Sequence, residues 1–425
     1  MLDRKYILDN AEAVAVNCQN RGVTAEVDRL VEMELRRREL LKEVEELNRK
    51  ANEVSKSIGQ AADDEQREAR KTEGRQLREL KDDRQSEHDQ LDAAVLELQA
   101  QIPNMSHPDA PIGEDDKANL EVRSGQHQPA SFDFPILDHV ELAEKHDLID
   151  FAAGARIAGA GFYFLKNEAV LLELALQQFA LSRLSQHGFK PVITPDLATT
   201  EVLQGTGYIP RGPETQIYSI ENSNLNLIAT AEIPLGGMQA GQILDADELP
   251  IKLVGISHCF RTEAGAAGRA TRGLFRVHQF TKIEMFAFTH PEQSEATLEE
   301  FCQIECELFD ELQIPYRVVD TATGDLGGPA YRKYDLEAWM PGRGDGGEFA
   351  EVTSTSNCTD YQARRLNARY KVAGAKGTQF LHTLNGTAIA VSRAIIAILE
   401  NNQQADGTIR IPEALQPWVG KDQIG

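Results

Sequence analysis

Between Gly255 and Phe288 the charged side chains Arg261, Glu263, Arg276 and Glu284 stand within runs of apolar, strand-forming residues. Charge in such surroundings is costly unless it is paired or used. Guanidinium forks bind phosphate bidentately and keep their charge at every accessible pH, so Arg261 and Arg276 have the chemistry to hold a polyanionic nucleotide. Phe280, two residues after His278 on the same strand face, offers a flat apolar surface for a base. A cross-strand ion-pair ladder would use the same residue types, and residue types alone leave both readings open.

The elements that must position these groups follow from the pattern. Ile256 to Arg261 and Leu274 to Phe288 alternate β-branched and aromatic residues as half-buried strands do, and Gly265, Gly268 and Gly273 between them cannot build a helix. A long hairpin is expected, with Arg261, Glu263, Arg276 and Glu284 inside its strands and Arg269 and Arg272 in its loop.

The wording F-R-x-E, a loop, then F-R-x-x-Q-F-x-K-x-E resembles motif 2 of the class II aminoacyl-tRNA synthetases, and CFRTEAGAAGRATRGLFRVHQFTKIEMF resembles the seryl-tRNA synthetases of bacterial type. Other stretches extend the resemblance in the family's order. GFKPVITPDLATTEVL is similar to motif 1, with Pro195 as its characteristic proline; read alone it is an edge strand with turns. Thr230-Ala231-Glu232 resembles the TxE element of the serine pocket, and it lies about 30 residues before F-R-x-E, as that family has it. Glu351 and Ser354 match positions that meet ATP and its Mg²⁺, although a carboxylate and a hydroxyl three residues apart by themselves suit a helix cap. LNGTAIAVSRAIIAILENNQ is similar to motif 3, a strand running into an apolar helix with Arg393 near the junction. Here the sequence departs from the commonest bacterial wording, with Thr387-Ala388 for Ser-Gly and Ser392 for Gly.

The resemblance implies an α+β fold, an antiparallel class II sheet flanked by helices, in an enzyme that activates L-serine with ATP and transfers it to tRNA(Ser). It implies that Arg261, Glu263 and Arg393 are catalytic. ATP would lie against Arg261, Thr262, Glu263, Arg276, Val277, His278, Gln279, Phe280, Glu351, Val352, Thr353, Ser354 and Arg393, with Mg²⁺ on Glu351 and Ser354. Serine would lie against Thr230, Ala231, Glu232, Arg261, Glu284, Asn385 and Thr387. Motif 1 implies a homodimer. Two other readings stay open: activation of an amino acid for an acceptor other than tRNA, and a catalytically dead scaffold.

The rest of the chain sets the frame. Its 425 residues, 41% hydrophobic, predict two or three domains with at least one sizeable core. No apolar run nears the roughly 18 residues of a membrane span and no signal peptide opens the sequence, so a cytoplasmic protein without membrane partners is expected. Five scattered cysteines without a CxxC pair read as reduced, buried thiols. Cys302 and Cys306, four apart on a predicted helix, lack the two further ligands that zinc needs.

The net charge of −23 argues against a generic nucleic-acid binder, and no DNA partner is expected. The distribution of charge matters more than its sum. Residues 26–101 read as two long helices. One seam runs through Leu30, Met33, Arg37, Leu40, Val44, Leu47, Ala51, Val54 and Ile58, and the return seam through Leu77, Leu80, Leu91, Val95, Leu98 and Ile102, with Pro103 ending the second helix. This is an antiparallel coiled coil, on the order of 50 Å long at about 1.5 Å per residue. Residues 49–78 at its tip carry eight Lys and Arg against six acids. Such charges read as an ordinary solvated surface, but the family's arm of this kind binds tRNA. Residues 104–131 read as a Pro-, Gly- and polar-rich linker, which gives a helical arm over 1–103 and a catalytic domain over 132–425.

Overall fold

The computed structural model describes residues 1–208, 216–264 and 272–425; Gly265, Gly268 and Arg269 lie outside the described residues. The chain forms two compact units, Met1–Met105 and Ser106–Gly425.

The first unit is helical. Short helices α1 (Arg4–Asp9) and α2 (Ala11–Asn20) precede α3 (Val27–Ser57) and α4 (Asp64–Gln101). Asp63 caps α4 by accepting from the Gln66 amide, and Asp64 and Glu65 sit at its positive end. The two long helices pack antiparallel: Arg36 reaches Glu87 at 3.1 Å, Arg84 reaches Glu43 at 3.3 Å, and Arg78 donates to Ser55 Oγ at 2.9 Å. Leu30, Leu40, Val44 and Ala51 are buried along α3, and Val95 and Ile102 answer them at the return end.

Leu80, expected in the return seam, is 43% exposed. Between residues 78 and 90 the inward positions hold no apolar side chain. Half-buried Lys81, Arg84 and His88 fill them with their stems, the seam closes through ion pairs, and Leu80 falls outside it. Glu34 is also buried, held by Arg37 at 2.7 Å and Arg38 at 2.9 Å.

The second unit is α+β. Its central sheet has eight strands, β1 (Leu120–Ser124), β2 (Lys190–Ile193), β3 (Ile251–Phe260), β4 (Gln279–Thr289), β5 (Tyr316–Asp320), β6 (Arg332–Met340), β7 (Glu348–Asn357) and β8 (His382–Ala390). Their order is β1-β5-β6-β7-β8-β4-β3-β2. Every neighbouring pair is antiparallel except β2 with β3, which is parallel.

Around the sheet lie α5 (His139–Lys145), α6 (Glu168–Gln186), α7 (Thr200–Thr206), α8 (Glu232–Gly237), α9 (Ser294–Glu311), α10 (Tyr361–Leu366) and α11 (Val391–Asn401). Alternation along β4 sends Ile283, Met285 and Ala287 into the main core with Phe301 of α9 and Ile395 of α11. Phe280, Lys282 and Glu284 then share the opposite face.

Two expectations are corrected. First, β3 ends at Phe260 and β4 starts at Gln279, so Arg261, Glu263 and Arg276 lie beyond the strand ends and only Glu284 is within a strand. The Leu274 amide donates to His139 Nε2 at 3.2 Å, which takes from the ladder a donor that a strand would need. Second, the stretch read as a linker holds β1, which pairs with β5 at the edge of the sheet.

Phe301 is fully buried beneath this sheet. Phe301→Ala is expected to lower unfolding free energy by about 3–5 kcal/mol, read as a shift in the urea midpoint of the second unit. A loss under about 1 kcal/mol would contradict the tight packing described here.

Candidate functional site

The polar face of the sheet floors a cleft of about 550 Å³. Register builds the floor: Glu284 of β4 stands opposite Thr387 of β8, Asn385 of β8 opposite Ser356 of β7, and Ser354 of β7 opposite Asp335 of β6. Arg261, Glu263 and Arg276 reach in from the segments beyond β3 and before β4, and Glu351 from β7. A narrow extension of about 40 Å³ is bounded by Phe275, Val277, Phe280, Val352, Thr353 and Arg393.

Cations and carboxylates are interleaved here. Arg276 pairs with Glu263 at 3.3 Å, and Glu263 holds a left-handed backbone, φ 50°, that a non-glycine residue adopts only when its surroundings impose it. The guanidinium carbon of Arg261 lies 5.3 Å from the Phe280 ring centroid. Arg393 donates to the Glu351 carbonyl at 2.8 Å, lies 3.3 Å from its carboxylate, and stacks on Phe275, which Arg343 also covers. Desolvation at the cleft floor would raise the Glu351 carboxyl, but its side chain is 48% exposed, and Arg393, Lys333 and Arg261 bring it below its ordinary value.

Glu284 and Glu232 are both buried and are held differently. Lys282 Nζ lies 2.5 Å from Glu284 Oε2, to which Thr387 Oγ1 also donates at 3.2 Å. Glu232 opens α8. Its backbone amide donates to Thr230 Oγ1 at 3.2 Å, and its carboxylate accepts from Tyr208 Oη at 3.0 Å, Gln362 Nε2 at 2.6 Å and Asn385 Nδ2 at 3.1 Å. Burial, then the charge of Glu284, push the Glu232 carboxyl up to about 7. Ala231 is buried against β3 at Gly255, where a Cβ would come within 3.0 Å of it. Glycine thus lets the Thr230–Glu232 segment seat on the sheet.

Two family models match the chain: the seryl-tRNA synthetase N-terminal domain over residues 1–106, and the tRNA synthetase class II core domain (G, H, P, S and T) over 217–402. The serine–tRNA ligase of Rhodopirellula baltica is 65% identical over 424 residues, spanning 100% of this chain and 99% of that one. The chain belongs to the seryl-tRNA synthetase family. The same ligase of Rubrobacter xylanophilus is 56% identical, covering 100% of this chain and 99% of its own. The crystal structure of seryl-tRNA synthetase from Pyrococcus horikoshii complexed with ATP superimposes with a TM-score of 0.93 at 40% identity, over 100% of this chain and 99% of that one.

Most positions that the seryl-tRNA synthetase resemblance marks converge on this cleft and its extension. Five do not line it, Thr230, Ala231, Thr262, His278 and Gln279: Thr230 and Ala231 are buried behind Glu232, and the Thr262 amide donates to the Gln216 carbonyl. The His278 ring stacks on Phe162 and its Nδ1 lies 2.8 Å from Tyr218 Oη. Gln279 lines a separate cavity of about 330 Å³, which shares Phe280 as a wall. Glu351 and Ser354 sit in a strand, which removes the helix-cap reading. Arg276 and Glu263 do form an ion pair, but beyond the paired strands rather than across them. Cys302 and Cys306 are buried free thiols on α9, away from this face.

Sequence reasoning missed Lys282, Tyr208 and Gln362. Lys282 was legible, two residues before Glu284 on one strand face. Tyr208 and Gln362 carry no local signal, because they meet Glu232 from 24 and 130 positions away.

With its native value raised to about 7 from 4.5, Glu232 adds stability below about pH 4.5 that is lost as pH rises through 7. Carbon-detected NMR of the unliganded chain is expected to show a glutamate titration near pH 7 that is lost in Glu232→Gln, while buried Glu305, also raised, keeps its own. A spectrum with every glutamate titrating below pH 5.5 would refute this placement.

Proposed function

We propose that this chain activates L-serine with ATP and transfers the seryl group to tRNA(Ser). The observation that carries the reading is a single cleft that joins two buried carboxylates, Glu232 and Glu284, to the arginines of the segments flanking β3 and β4. The P. horikoshii relative is described with ATP bound. In this reading the serine carboxylate attacks the α-phosphorus of ATP in line, a bond to the leaving pyrophosphate breaks, and seryl-adenylate forms. A terminal hydroxyl of the tRNA then takes the seryl group, and AMP leaves.

No side-chain nucleophile is required, so catalysis is positioning plus charge stabilisation. Arg261 meets the α-phosphate and Phe280 carries adenine. Arg393, kept in place by Glu351 and Phe275, meets the γ-phosphate. Glu232 receives the serine ammonium, while Glu284, Thr387 and Asn385 enclose its side chain. Glu351 and Ser354 would hold Mg²⁺ with ATP. One carboxylate and one hydroxyl, with no cluster of three ligating residues among the described residues, fit a hard ion whose other ligands are waters and phosphate oxygens. Bound there, it would neutralise phosphate charge.

The α3–α4 pair is proposed as a coiled-coil arm for tRNA. Near its tip Arg49, Lys50, Arg67 and Lys71 are exposed and paired only with acids on their own helices. Pairs this exposed are weak and yield readily to phosphate. We further propose a cytoplasmic homodimer. Among the described residues no helix is long and apolar enough to cross a membrane, and Ile193, two residues before Pro195 of motif 1, is 84% exposed, an apolar side chain that a second copy would cover.

Serine-dependent exchange of pyrophosphate into ATP is the decisive test. Alanine is expected to support it at least about 10³-fold less well, since a missing hydroxyl leaves buried polar groups unpaired; exchange with alanine within tenfold of serine would refute the pocket. No exchange at all would favour the scaffold reading.

Arg261→Lys keeps the charge but loses the planar fork. It is expected to slow adenylate formation by about 10²-fold or more in a folded protein, and near-normal exchange would return Arg261 to a structural role.

Replacing residues 49–78 by a short turn is expected to abolish tRNA charging and spare serine activation. Charging by the intact chain is expected to weaken steeply as salt rises while exchange changes little. Comparable charging by the shortened chain would remove the arm from the mechanism.

A further inference from the structure

Two carboxylates in one cleft are prepared for different partners. Glu284 already has a cation, Lys282, so its charge is answered and it suits a neutral hydroxyl. Glu232 has no lysine or arginine within ion-pair distance among the described residues. Its donors are the neutral groups of Tyr208, Gln362 and Asn385.

The Gln362 amide is fixed without ambiguity. It is fully buried on α10 and donates to the Thr206 carbonyl at 2.9 Å and to Glu232 Oε1 at 2.6 Å, while its own oxygen accepts from Thr383 Oγ1 at 2.7 Å. The Thr206 carbonyl can only accept, so the nitrogen must face it and Glu232 together. Tyr208 holds the other carboxylate oxygen. A lysine in place of Gln362 would neutralise Glu232 and compete with an arriving ammonium; an amide fixes the carboxylate and leaves its charge unanswered.

We propose that Gln362, with Tyr208, is a positioning residue for the amino-acid substrate: the two hold Glu232 as an oriented carboxylate for the serine ammonium, and so set the KM for serine and not that for ATP. This rests on the reading that Glu232 meets that ammonium. The titratable and charged groups around Glu232 are Glu284 and Lys282 from β4, Tyr208 after α7, and Arg261 at the end of β3. Among these the hydrogen bonds of Gln362 and Tyr208 favour the charged form of Glu232 over the neutral one.

The test measures serine-dependent pyrophosphate exchange against pH in Gln362→Glu, Tyr208→Phe and Glu232→Gln. Losing a hydrogen bond to a charged group is worth about 10- to 100-fold. Gln362→Glu is expected to raise the serine KM by about that factor, to leave the ATP KM within about threefold, and to move the pH of half-maximal serine affinity upward. Tyr208→Phe is expected to do the same more weakly. Equal rises in both KM values, or an unmoved pH midpoint, would overturn the proposal. If circular dichroism shows that Gln362→Glu does not fold, Tyr208→Phe decides alone, and an unchanged serine KM and midpoint overturn it. Glu232→Gln with an unchanged serine KM would instead bring down the reading of the cleft. A raised KM there, with the other two variants silent, would remove only the positioning role.

Discussion

Two carboxylates cannot remain ionised side by side in a dry cavity unless something answers their charge. Glu284 has Lys282 at 2.5 Å, and Glu232 has only neutral donors. Lys282 is therefore the group on which the cleft depends. Without it, Glu284 would be a buried carboxylate with no cation at ion-pair distance among the described residues. Glu232 keeps no such partner at contact distance, and burial with the charge of Glu284 raises its carboxyl, so a cation arriving beside it would answer that charge.

The sheet makes this arrangement possible by register. A one-residue slip of β8 against β4 would turn Thr387 and Asn385 into the core and bring Ala388 and Gly386 to the cleft. The other face resists such a slip, since Ile283, Met285 and Phe301 interlock there. Core packing and substrate geometry are thus two faces of one set of strand pairings. The arginines stand outside that scheme: Arg261 and Arg276 leave the ladder where strand pairing ends, and there their forks can reach a ligand without interrupting the pairing.

Much of this was legible in the sequence. Long elements with strong periodicity, such as α3, α4 and the β8–α11 pair, lie where the pattern placed them, because one buried face dictates their spacing. The hairpin ends were misread because apolar Leu274 and Val277 serve the core from irregular backbone, and a strand pattern cannot say whether a partner is there to receive each amide. Leu80 was misread because hydrophobicity alone does not show where ion pairs close a seam. β1 was missed although Leu120 to Arg123 alternate apolar and polar, because the run is only five residues long, lies in a Pro-, Gly- and polar-rich stretch and buries neither face. Tyr208 and Gln362 meet Glu232 only through the fold.

The edge strand β1 bears on how the catalytic unit can be cut. The stretch from Ser106 to Ser124 also supports the turn before β6: Asn119 Oδ1 accepts from the Ala322 amide at 2.8 Å, the Gly113 carbonyl accepts from Gly324 at 2.8 Å, and the Pro111 carbonyl accepts from Thr323 at 2.8 Å. That turn leads directly into Asp325, Gly327 and Gly328 of the cleft wall. A fragment beginning at residue 132 would bare the edge of β5 as a template for self-association and would leave one wall of the cleft without its buttress. What looks like a tether is part of the masonry.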